Sequence, residues 1–305
     1  MRKLVKMGLF LISTAMFIQL SGCSNSSSSS PAQTTEETTK KETVKEETNE
    51  EENKEEKQET SEEKIELIVF AAASMTETLE EIAKAYQSVA PNVTLVYTFD
   101  SSGTLKTQIQ EGADCDIFIS AAQKQMNQLD KTADPEVNTE GLDYILEGSR
   151  FNLVENKVVL AVPEGNPADI NSYEDLKTDK LNLICLGNSD VPVGAYSEEI
   201  LDYLGIRQEL EEMSKISYGS NVKEVTTQVA EHSVDCGIIY ATDAFSAGLT
   251  VVDEADTTMC KQVIYPAAVL KQSKNIEAAQ EFLSYLKTEE CAKIFESVGF
   301  SMAEE

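Results

Sequence analysis

The chain has 305 residues, 41% of them hydrophobic, which is enough for one large domain or two small ones. It carries 25 basic and 54 acidic residues and a formal net charge of −29. A surface of this sign repels nucleic acid, because nucleic-acid binding depends on Lys and Arg that neutralise phosphates. It provides no long-range attraction for a small anion either, so an anion site would have to work through short-range hydrogen bonds.

The first 22 residues have the layout of a bacterial secretion signal. Three basic residues come before an apolar run over residues 7–20, which is too short for a comfortable membrane span. The run ends in LSGC at residues 20–23, which resembles a bacterial lipobox and implies cleavage before Cys23 and a lipid on its sulfur. An ordinary signal peptide with an incidental cysteine is the alternative. We therefore expect a lipoprotein that is anchored to the cell membrane on its extracytoplasmic side.

Residues 23–63 are predicted to comprise the lipidated cysteine and a disordered acidic tether. The segment is rich in Ser and then in Glu, Lys and Thr, and it has almost no apolar residues. Such a composition cannot bury enough surface to offset the entropy that is lost on ordering. As a flexible coil of roughly 40 residues it would reach about 35 Å on average. We interpret its glutamates as a solvated spacer and not as a binding site.

Cysteine and histidine are too few and too scattered for a metal site. Of the six cysteines, five remain if Cys23 carries a lipid, and an odd number cannot all pair in disulfides. Their spacing matches no zinc pattern, and His232 is the only histidine. Cys115 and Cys236 stand just before apolar runs, which predicts that they are small buried side chains. We expect neither a metal centre nor a cofactor.

From residue 64 onward, strands and helices alternate as in an α/β protein. Strands are predicted over residues 65–72, 93–99 and 116–120 of a first unit, and over residues 157–162, 181–185 and 237–240 of a second. A strand over residues 262–270 returns toward the first unit, and two helices end the chain. This layout favours a hinged clamp of two α/β lobes that closes around a small ligand. Lobe 1 is predicted to comprise residues 64–150 plus 262–305, and lobe 2 residues 151–261.

Polar turns follow several of these strands, at the positions where open α/β sheets bind ligands. Ser74 follows the first strand, Ser102 follows the second, and Tyr240 ends a strand of the second unit. The turns before the helices near Val193 and Val222 add free backbone amides. Hydroxyls and helix N-terminal amides together suit an anion. Taken singly, a serine before a helix is more often a simple N-cap, and a tyrosine is more often packed in the core.

Seven sequence motifs occur between residue 64 and the end of the chain. They are VFAAAS (69–74), SGTL (102–105) with QI (108–109) and GAD (112–114), DIFISA (116–121), VPVGAY (191–196), GIIY (237–240) with TDA (242–244), YP (265–266), and IF (294–295) with GF (299–300). In content and order they resemble the molybdate-binding proteins of bacterial molybdate ABC importers. The resemblance extends over nearly the whole predicted folded region.

This resemblance implies a periplasmic-binding-protein clamp of the type II kind, with its ligand in the cleft between the lobes. It implies that the hydroxyls of Ser74 and Ser102 hold an oxyanion from one lobe. The backbone amides of Val193 and Val222 and the hydroxyl of Tyr240 would complete the site from the other lobe. Val193 stands where the family often has alanine, which matters little because only the backbone donates. By the same resemblance, the protein is a monomer that binds molybdate or tungstate and delivers it to an ABC permease.

Three other functions stay open. A clamp for sulfate or phosphate is the nearest alternative; a site made only of donors favours a fully deprotonated oxyanion, but sulfate differs from molybdate only in size. A serine hydrolase that uses Ser74 or Ser102 is less favoured, because the chain has no GxSxG motif and His232 is the only imidazole base. A sensory module that reports ligand occupancy to a membrane kinase is the third. We predict a binding protein and not an enzyme.

Overall fold

A computed structural model describes residues 63–304 of the chain. The predicted signal segment and nearly all of the predicted tether, including Cys23, lie outside the described residues. Within residues 63–304, none of the helices has both the length and the apolar character that a membrane span requires.

Strands and helices alternate along most of the described region. The strands are β1 (Ile65–Ala72), β2 (Val93–Asp100), β3 (Ile117–Ile119), β4 (Phe151–Asn156), β5 (Val158–Val162), β6 (Ile184–Gly187), β7 (Ile216–Gly219), β8 (Cys236–Tyr240), β9 (Thr250–Glu254), β10 (Val263–Val269) and β11 (Ser301–Met302). The helices are α1 (Thr76–Val89), α2 (Ser102–Gln110), α3 (Gln123–Leu129), α4 (Pro192–Leu204), α5 (Arg207–Glu212), α6 (Val222–Ala230), α7 (Ala241–Ala247), α8 (Ile276–Tyr285) and α9 (Glu289–Ser297). Short 3-10 helices lie at Ala73–Met75 and Tyr173–Lys177.

The first sheet has the strand order β11–β4–β10–β3–β1–β2. β1 pairs in parallel with β2 and β3, whereas β10 runs antiparallel to β3 and β4. β1 reads IELIVFAA and is buried from Val69 to Ala72, as expected for a parallel strand that is covered on both faces. The parallel strands β1, β2 and β3 therefore present their carboxyl ends at one edge of this sheet.

Helices cover both faces of the first sheet. Leu79 of α1 is fully buried in the larger apolar cluster, and Tyr86 of the same helix packs on Phe282 of α8 with ring centroids 5.0 Å apart. Leu105 of α2 packs with Phe118 of β3 in a separate cluster, because successive strand residues face opposite sides of the sheet. Each large apolar side chain that is fully buried contributes about 1.5–3 kcal/mol, so both layers stabilise the lobe.

The second sheet has the strand order β7–β6–β8–β5–β9. β6 pairs in parallel with β7 and β8, and β5 runs antiparallel to β8 and β9. The carboxyl ends of the three parallel strands are Gly187, Gly219 and Tyr240, and the turns that lead to α4, α6 and α7 follow them. The predicted architecture of two α/β lobes is confirmed.

The chain passes between the two sheets at two places in the described region. β4 ends at Asn156 in the first sheet and β5 begins at Val158 in the second, and the return lies between β9 and β10. The start of lobe 2 predicted at residue 151 is therefore too early, because β4 pairs with β10 and β11 of the first sheet. Residues 151–162 contain neither Gly nor Pro, so nothing in the local sequence marks the crossing.

The cysteines of the described region, five in number, are all buried and free. Cys115 is 3% exposed and Cys236 is fully buried, which confirms the prediction that they are small core side chains. Burial raises the pKa of the Cys115 thiol to about 12, so this side chain stays neutral at physiological pH.

Candidate functional site

Residues from both sheets line one small cavity. All of them lie at or just after the carboxyl ends of parallel strands, or at the beginning of α4 and α6. From the first lobe the lining consists of Ala72, Ala73, Ser74, Asp100, Ser101, Ser102 and Ala121, and from the second of Val191, Pro192, Val222 and Tyr240. The fold thus brings Ser74, Ser102, Val222 and Tyr240 together from four separate parts of the sequence.

Ser74 is held at this cavity by a buried chain of hydrogen bonds. Its Oγ lies 2.8 Å from Tyr265 Oη on β10, and both residues are almost completely buried. Asn156 Nδ2 donates to Tyr265 Oη at 3.3 Å and to Thr242 Oγ1 at 2.9 Å. Because Tyr265 Oη accepts from Asn156, its own proton can go to Ser74 Oγ. The Ser74 proton is then free to be donated into the cavity.

Ser102 is the first residue of α2 and is fully buried. Its Oγ accepts a hydrogen bond of 2.9 Å from the backbone N–H of Ala121, which follows β3. The oxygen is therefore fixed as an acceptor while its proton remains available. The neighbouring Ser101 acts differently: it is the N-cap of α2, and its Oγ accepts from Thr104 N at 3.1 Å.

The two predicted backbone donors lie in the first turns of α4 and α6. Val193 is the second residue of α4 and Val222 the first of α6, so neither N–H has an acceptor within its helix. No other acceptor for them is found among the backbone and side-chain hydrogen bonds of residues 63–304. Val222 lines the cavity, whereas Val193 does not, although Pro192 before it does.

Gly194 allows the turn before α4 to fold tightly on the end of β6. A Cβ atom at Gly194 would lie 2.5 Å from Asn188 O and closer still to Gly187 O, and these backbone atoms cannot rotate away. The glycine of the VPVG motif thus keeps the first turn of α4 next to the strand end. Any side chain at position 194 would push this turn, including the cavity-lining Val191 and Pro192, away from the strand end.

Tyr240 is the last residue of β8, and its buried side chain lines the cavity. Its side chain is 1% exposed, and its Oη has no hydrogen-bond partner among the described residues. Burial raises the pKa of this phenol well above its ordinary value, so the group is a neutral donor at physiological pH. A buried polar group without a partner costs about 1–3 kcal/mol, which makes an acceptor in the cavity favourable.

The lining residues include neither Lys, Arg nor His, so the donors of this cavity carry no formal positive charge. Asp100 is the one carboxylate of the lining, and its Oδ1 accepts from Ser101 N at 2.7 Å. An anion would therefore be bound by neutral hydroxyls and amides. Asp100 offers the only charged acceptor for a ligand that still carries a proton.

A much larger groove lies where the chain crosses between the sheets, beside residues such as Lys157, Glu254 and Lys261. None of the buried side-chain atoms that lack a partner in the described region belongs to its lining. Size alone therefore does not identify the site. The unpartnered Tyr240 hydroxyl favours the smaller cavity.

Sequence reasoning did not assign the residues that support this cavity. Tyr265 was recognised only as part of a motif, and Asn156 not at all. Tyr265 is 191 residues from Ser74 in the sequence, and Asn156 is 109 residues from Tyr265, so no local pattern connects them. Asp100 directly precedes Ser101-Ser102-Gly103. Its position at the end of β2 is the signal that could have identified it as a residue of the cavity lining.

Two α/β lobes that are joined by two chain crossings, with a donor-lined cavity between them, define a ligand-binding clamp. The chain belongs to the family of bacterial extracellular solute-binding proteins, whose family model matches residues 67–301.

Individual relatives agree with this assignment. The molybdate-binding protein ModA of Haemophilus influenzae is 32% identical over 241 residues, which cover 77% of this chain and 90% of that protein. YvgL of Bacillus subtilis, named as a candidate ABC transporter substrate-binding lipoprotein, is 31% identical over 97% of this chain and 98% of its own. The periplasmic molybdate-binding protein of Azotobacter vinelandii has the same fold, with a TM-score of 0.68 and 22% identity over 78% of this chain and all of that one. The resemblance predicted from the motifs is confirmed.

Proposed function

We propose that this protein captures molybdate or tungstate outside the cytoplasm, in the cavity between its lobes, and delivers the anion to an ABC permease. The observation that carries the proposal is the hydroxyl of Tyr240, which is buried at the cavity without a partner in the described region. A tetrahedral dianion that only accepts hydrogen bonds would satisfy it. The names of two relatives, from Haemophilus influenzae and Azotobacter vinelandii, state that they bind molybdate.

The proposed ligand-binding set is the one predicted from the sequence: the hydroxyls of Ser74, Ser102 and Tyr240 and the amides of Val193 and Val222. A hydrogen bond to a charged group contributes about 1.5–3 kcal/mol, so five of them contribute about 8–15 kcal/mol before desolvation and closure are subtracted. Micromolar binding requires about 8 kcal/mol. Neutral donors can therefore supply free energy of the required size, and the proposal includes no cofactor.

We also propose that Cys23 carries a lipid that anchors the mature protein to the cell membrane. The name of YvgL, whose match spans 97% of this chain, includes the word lipoprotein. Replacing Cys23 with alanine should then abolish labelling of the protein by a radioactive fatty acid. Undiminished labelling of the variant would contradict the anchor.

Asp100 supports a second candidate, a clamp for a protonated oxyanion such as hydrogenphosphate. Its carboxylate lies in the cavity lining and could accept the proton of such a ligand. Asp100→Asn separates the two candidates, because it should abolish phosphate binding but leave the binding of a fully deprotonated dianion within a few fold.

The proposal is tested by calorimetric titration of the chain from residue 24 onward with molybdate, tungstate, sulfate and phosphate. Calorimetry is suitable because the chain has no Trp. We expect one-to-one binding of molybdate and tungstate, with sulfate at least about a hundredfold weaker. If sulfate or phosphate bound tightly instead, that anion would be the ligand. If none of the four anions gave a binding heat, an oxyanion clamp would be refuted.

A further inference from the structure

Among the contacts that join the lobes beside the cavity, two lie outside both the ligand-binding set and the cavity lining. The backbone N–H of Gly103 in α2 donates to Asp190 O, in the turn before α4, at 3.0 Å. Lys223 Nζ of α6 lies 2.8 Å from each carboxylate oxygen of Glu77 on α1. Each contact has one partner in each lobe, so both require the lobes to be close together.

The Gly103 contact leaves no space for a side chain. A Cβ atom at Gly103 would lie 2.8 Å from Asp190 Cα, 2.9 Å from Asp190 C and closer still to Asp190 O. Those are backbone atoms of the other lobe, so no rotamer change relieves the overlap. Within its own lobe, Gly103 lies in the first turn of a regular helix and its φ is not positive, so alanine suits the local backbone there.

Lys223 is held in position by its own lobe before it meets Glu77. Its Nζ lies 3.2 Å from Oδ1 of Asp243 on α7, and Asp243 is fully buried. Lys223 is the only basic group within salt-bridge distance of that carboxylate in residues 63–304. Its ammonium is therefore already ordered, which lowers the entropy cost of the second ion pair with Glu77.

Both contacts are adjacent in sequence to residues of the proposed site. Gly103 follows Ser102, Lys223 follows Val222, and Glu77 lies three residues after Ser74. The same approach of the lobes that brings the donors around an anion therefore also forms the two contacts. A ligand that binds only the closed form has an apparent affinity that rises with the population of that form.

We propose that Gly103 and the Lys223–Glu77 ion pair form a closure latch that raises anion affinity without touching the anion. The inference rests on the proposed function and adds positioning residues to it. Gly103 permits the lobes to reach their closed distance, because it has no side chain. The ion pair then stabilises the closed form relative to the open one.

The latch is tested in the chain from residue 24 onward with three variants. Gly103→Ala blocks the close approach, and Glu77→Gln removes the ion pair across the lobes. Glu81→Gln is the matched control, because it makes the same charge change on an exposed position of α1 that forms no ion pair in the described structure. Molybdate affinity, thermal unfolding without ligand, and the change in radius of gyration on adding molybdate are measured for each.

We expect Gly103→Ala to bind molybdate at least about tenfold more weakly and to lose ligand-induced compaction, without a lower unfolding temperature in the absence of ligand. Glu77→Gln should weaken binding about three- to fivefold at low salt, and the difference should disappear in 1 M salt. Glu81→Gln should bind like the wild type. If Gly103 and Glu77 only stabilised the fold, replacing them would lower the unfolding temperature without ligand. The latch does not require such a decrease.

The possible failures are distinguishable. If the wild type binds molybdate and both Gly103→Ala and Glu77→Gln bind it equally well, the latch is refuted and the proposed function stands. If the wild type binds neither molybdate nor tungstate, the proposed function is refuted, and the latch with it. Equal losses in Glu77→Gln and Glu81→Gln would attribute the effect to overall charge and would also refute the latch.

Discussion

Two buried tyrosines that pack against each other at the cavity differ in how their hydroxyls are satisfied. Tyr240 and Tyr265 have ring centroids 5.8 Å apart in an edge-to-face arrangement. Tyr265 Oη is bonded to Ser74 and Asn156, whereas Tyr240 Oη has no partner within the described region. One hydroxyl therefore stabilises the fold, whereas the other has no partner when the lobes are together and is available to donate to a ligand there.

This contrast predicts that Tyr240→Phe weakens binding without lowering stability. The hydroxyl has no partner in the described region, and in the open, ligand-free form water can reach it, so its removal should not lower the free energy of unfolding of the ligand-free protein. The same change removes a donor to a charged ligand and should cost about 1.5–3 kcal/mol of molybdate binding. Chemical denaturation and calorimetric titration measure the two quantities.

Tyr265→Phe is the control for this pair, because it deletes a hydroxyl that has two partners. We expect it to lower the ligand-free stability and to weaken binding only through the loss of order at Ser74. If Tyr240→Phe destabilised the ligand-free protein as Tyr265→Phe does, the Tyr240 hydroxyl would have a structural partner, and its assignment as a ligand donor would be contradicted.

At the residue level, the sequence indicated which hydroxyls lie near strand ends but not what orders them. Ser74 and Ser102 each follow a recognisable apolar strand, so their place at the edge of the sheet was predictable. Their partners were not, because Tyr265 and Ala121 reach them only through the pairing of β10 and β3 with the rest of the sheet. A periodic pattern contains no information about such tertiary contacts.

At the level of elements, α7 contributes a buried carboxylate, Asp243, that lies next to Lys223 of α6. Asp243 of α7 is fully buried, and burial raises its pKa to about 6 even though Lys223 lowers it. For Lys223, burial alone would lower the pKa, but Asp243 and Glu77 raise it, so the lysine stays charged. Above about pH 6, Asp243 and Lys223 therefore form a buried ion pair. The charged carboxylate of Asp243 would have a lower free energy in water than in this buried position.

The sign of the resulting pH dependence follows from the raised pKa. Between about pH 4 and pH 6, the folded state keeps a proton on Asp243 that the unfolded state has already lost. The contribution of Asp243 to the free energy of unfolding therefore falls as the pH rises through this range, and it is constant above it. A shift of about two pKa units corresponds to about 3 kcal/mol.

Asp243→Asn should remove this dependence. We expect the free energy of unfolding of the variant, minus that of the wild type, to increase by about 3 kcal/mol from pH 4 to pH 7. Taking the difference cancels the titration of the many other acidic groups. Denaturant unfolding at several pH values measures it, and a difference that stayed constant with pH would show that Asp243 titrates normally.

The elements themselves were predicted unevenly, and the reasons are local. α1 (Thr76–Val89) has a sequence that predicts a helix, because its buried residues Leu79, Ile82 and Tyr86 repeat with helical spacing. β9 was not predicted, since its sequence TVVDE is short, polar at its end and half-exposed at the edge of the sheet. The strand predicted over residues 157–162 is β5; β4 was not predicted, and its place in the first sheet depends on pairing with β10.

For the whole molecule, the sign of the charge sets how an anion reaches the cavity. Residues 64–305 contain 41 acidic and 17 basic side chains, and the cavity lining adds no cation to offset them. The long-range field of the protein therefore repels a dianion, whereas binding depends on donors that act within a few ångströms. Salt screens the first effect over a Debye length of about 8–10 Å but changes the second much less.

We therefore predict that molybdate associates faster as the ionic strength rises from about 10 mM to 150 mM, which is opposite to the behaviour of a site with a basic entrance. Stopped-flow measurement of tyrosine fluorescence can follow the reaction, because the chain has 10 Tyr and no Trp, and Tyr240 lines the cavity. The dissociation rate must be measured separately, since salt also weakens the Lys223–Glu77 pair and should release the anion sooner. An association rate that fell with salt would mean that local basic groups, and not the acidic surface as a whole, govern the approach of the ligand.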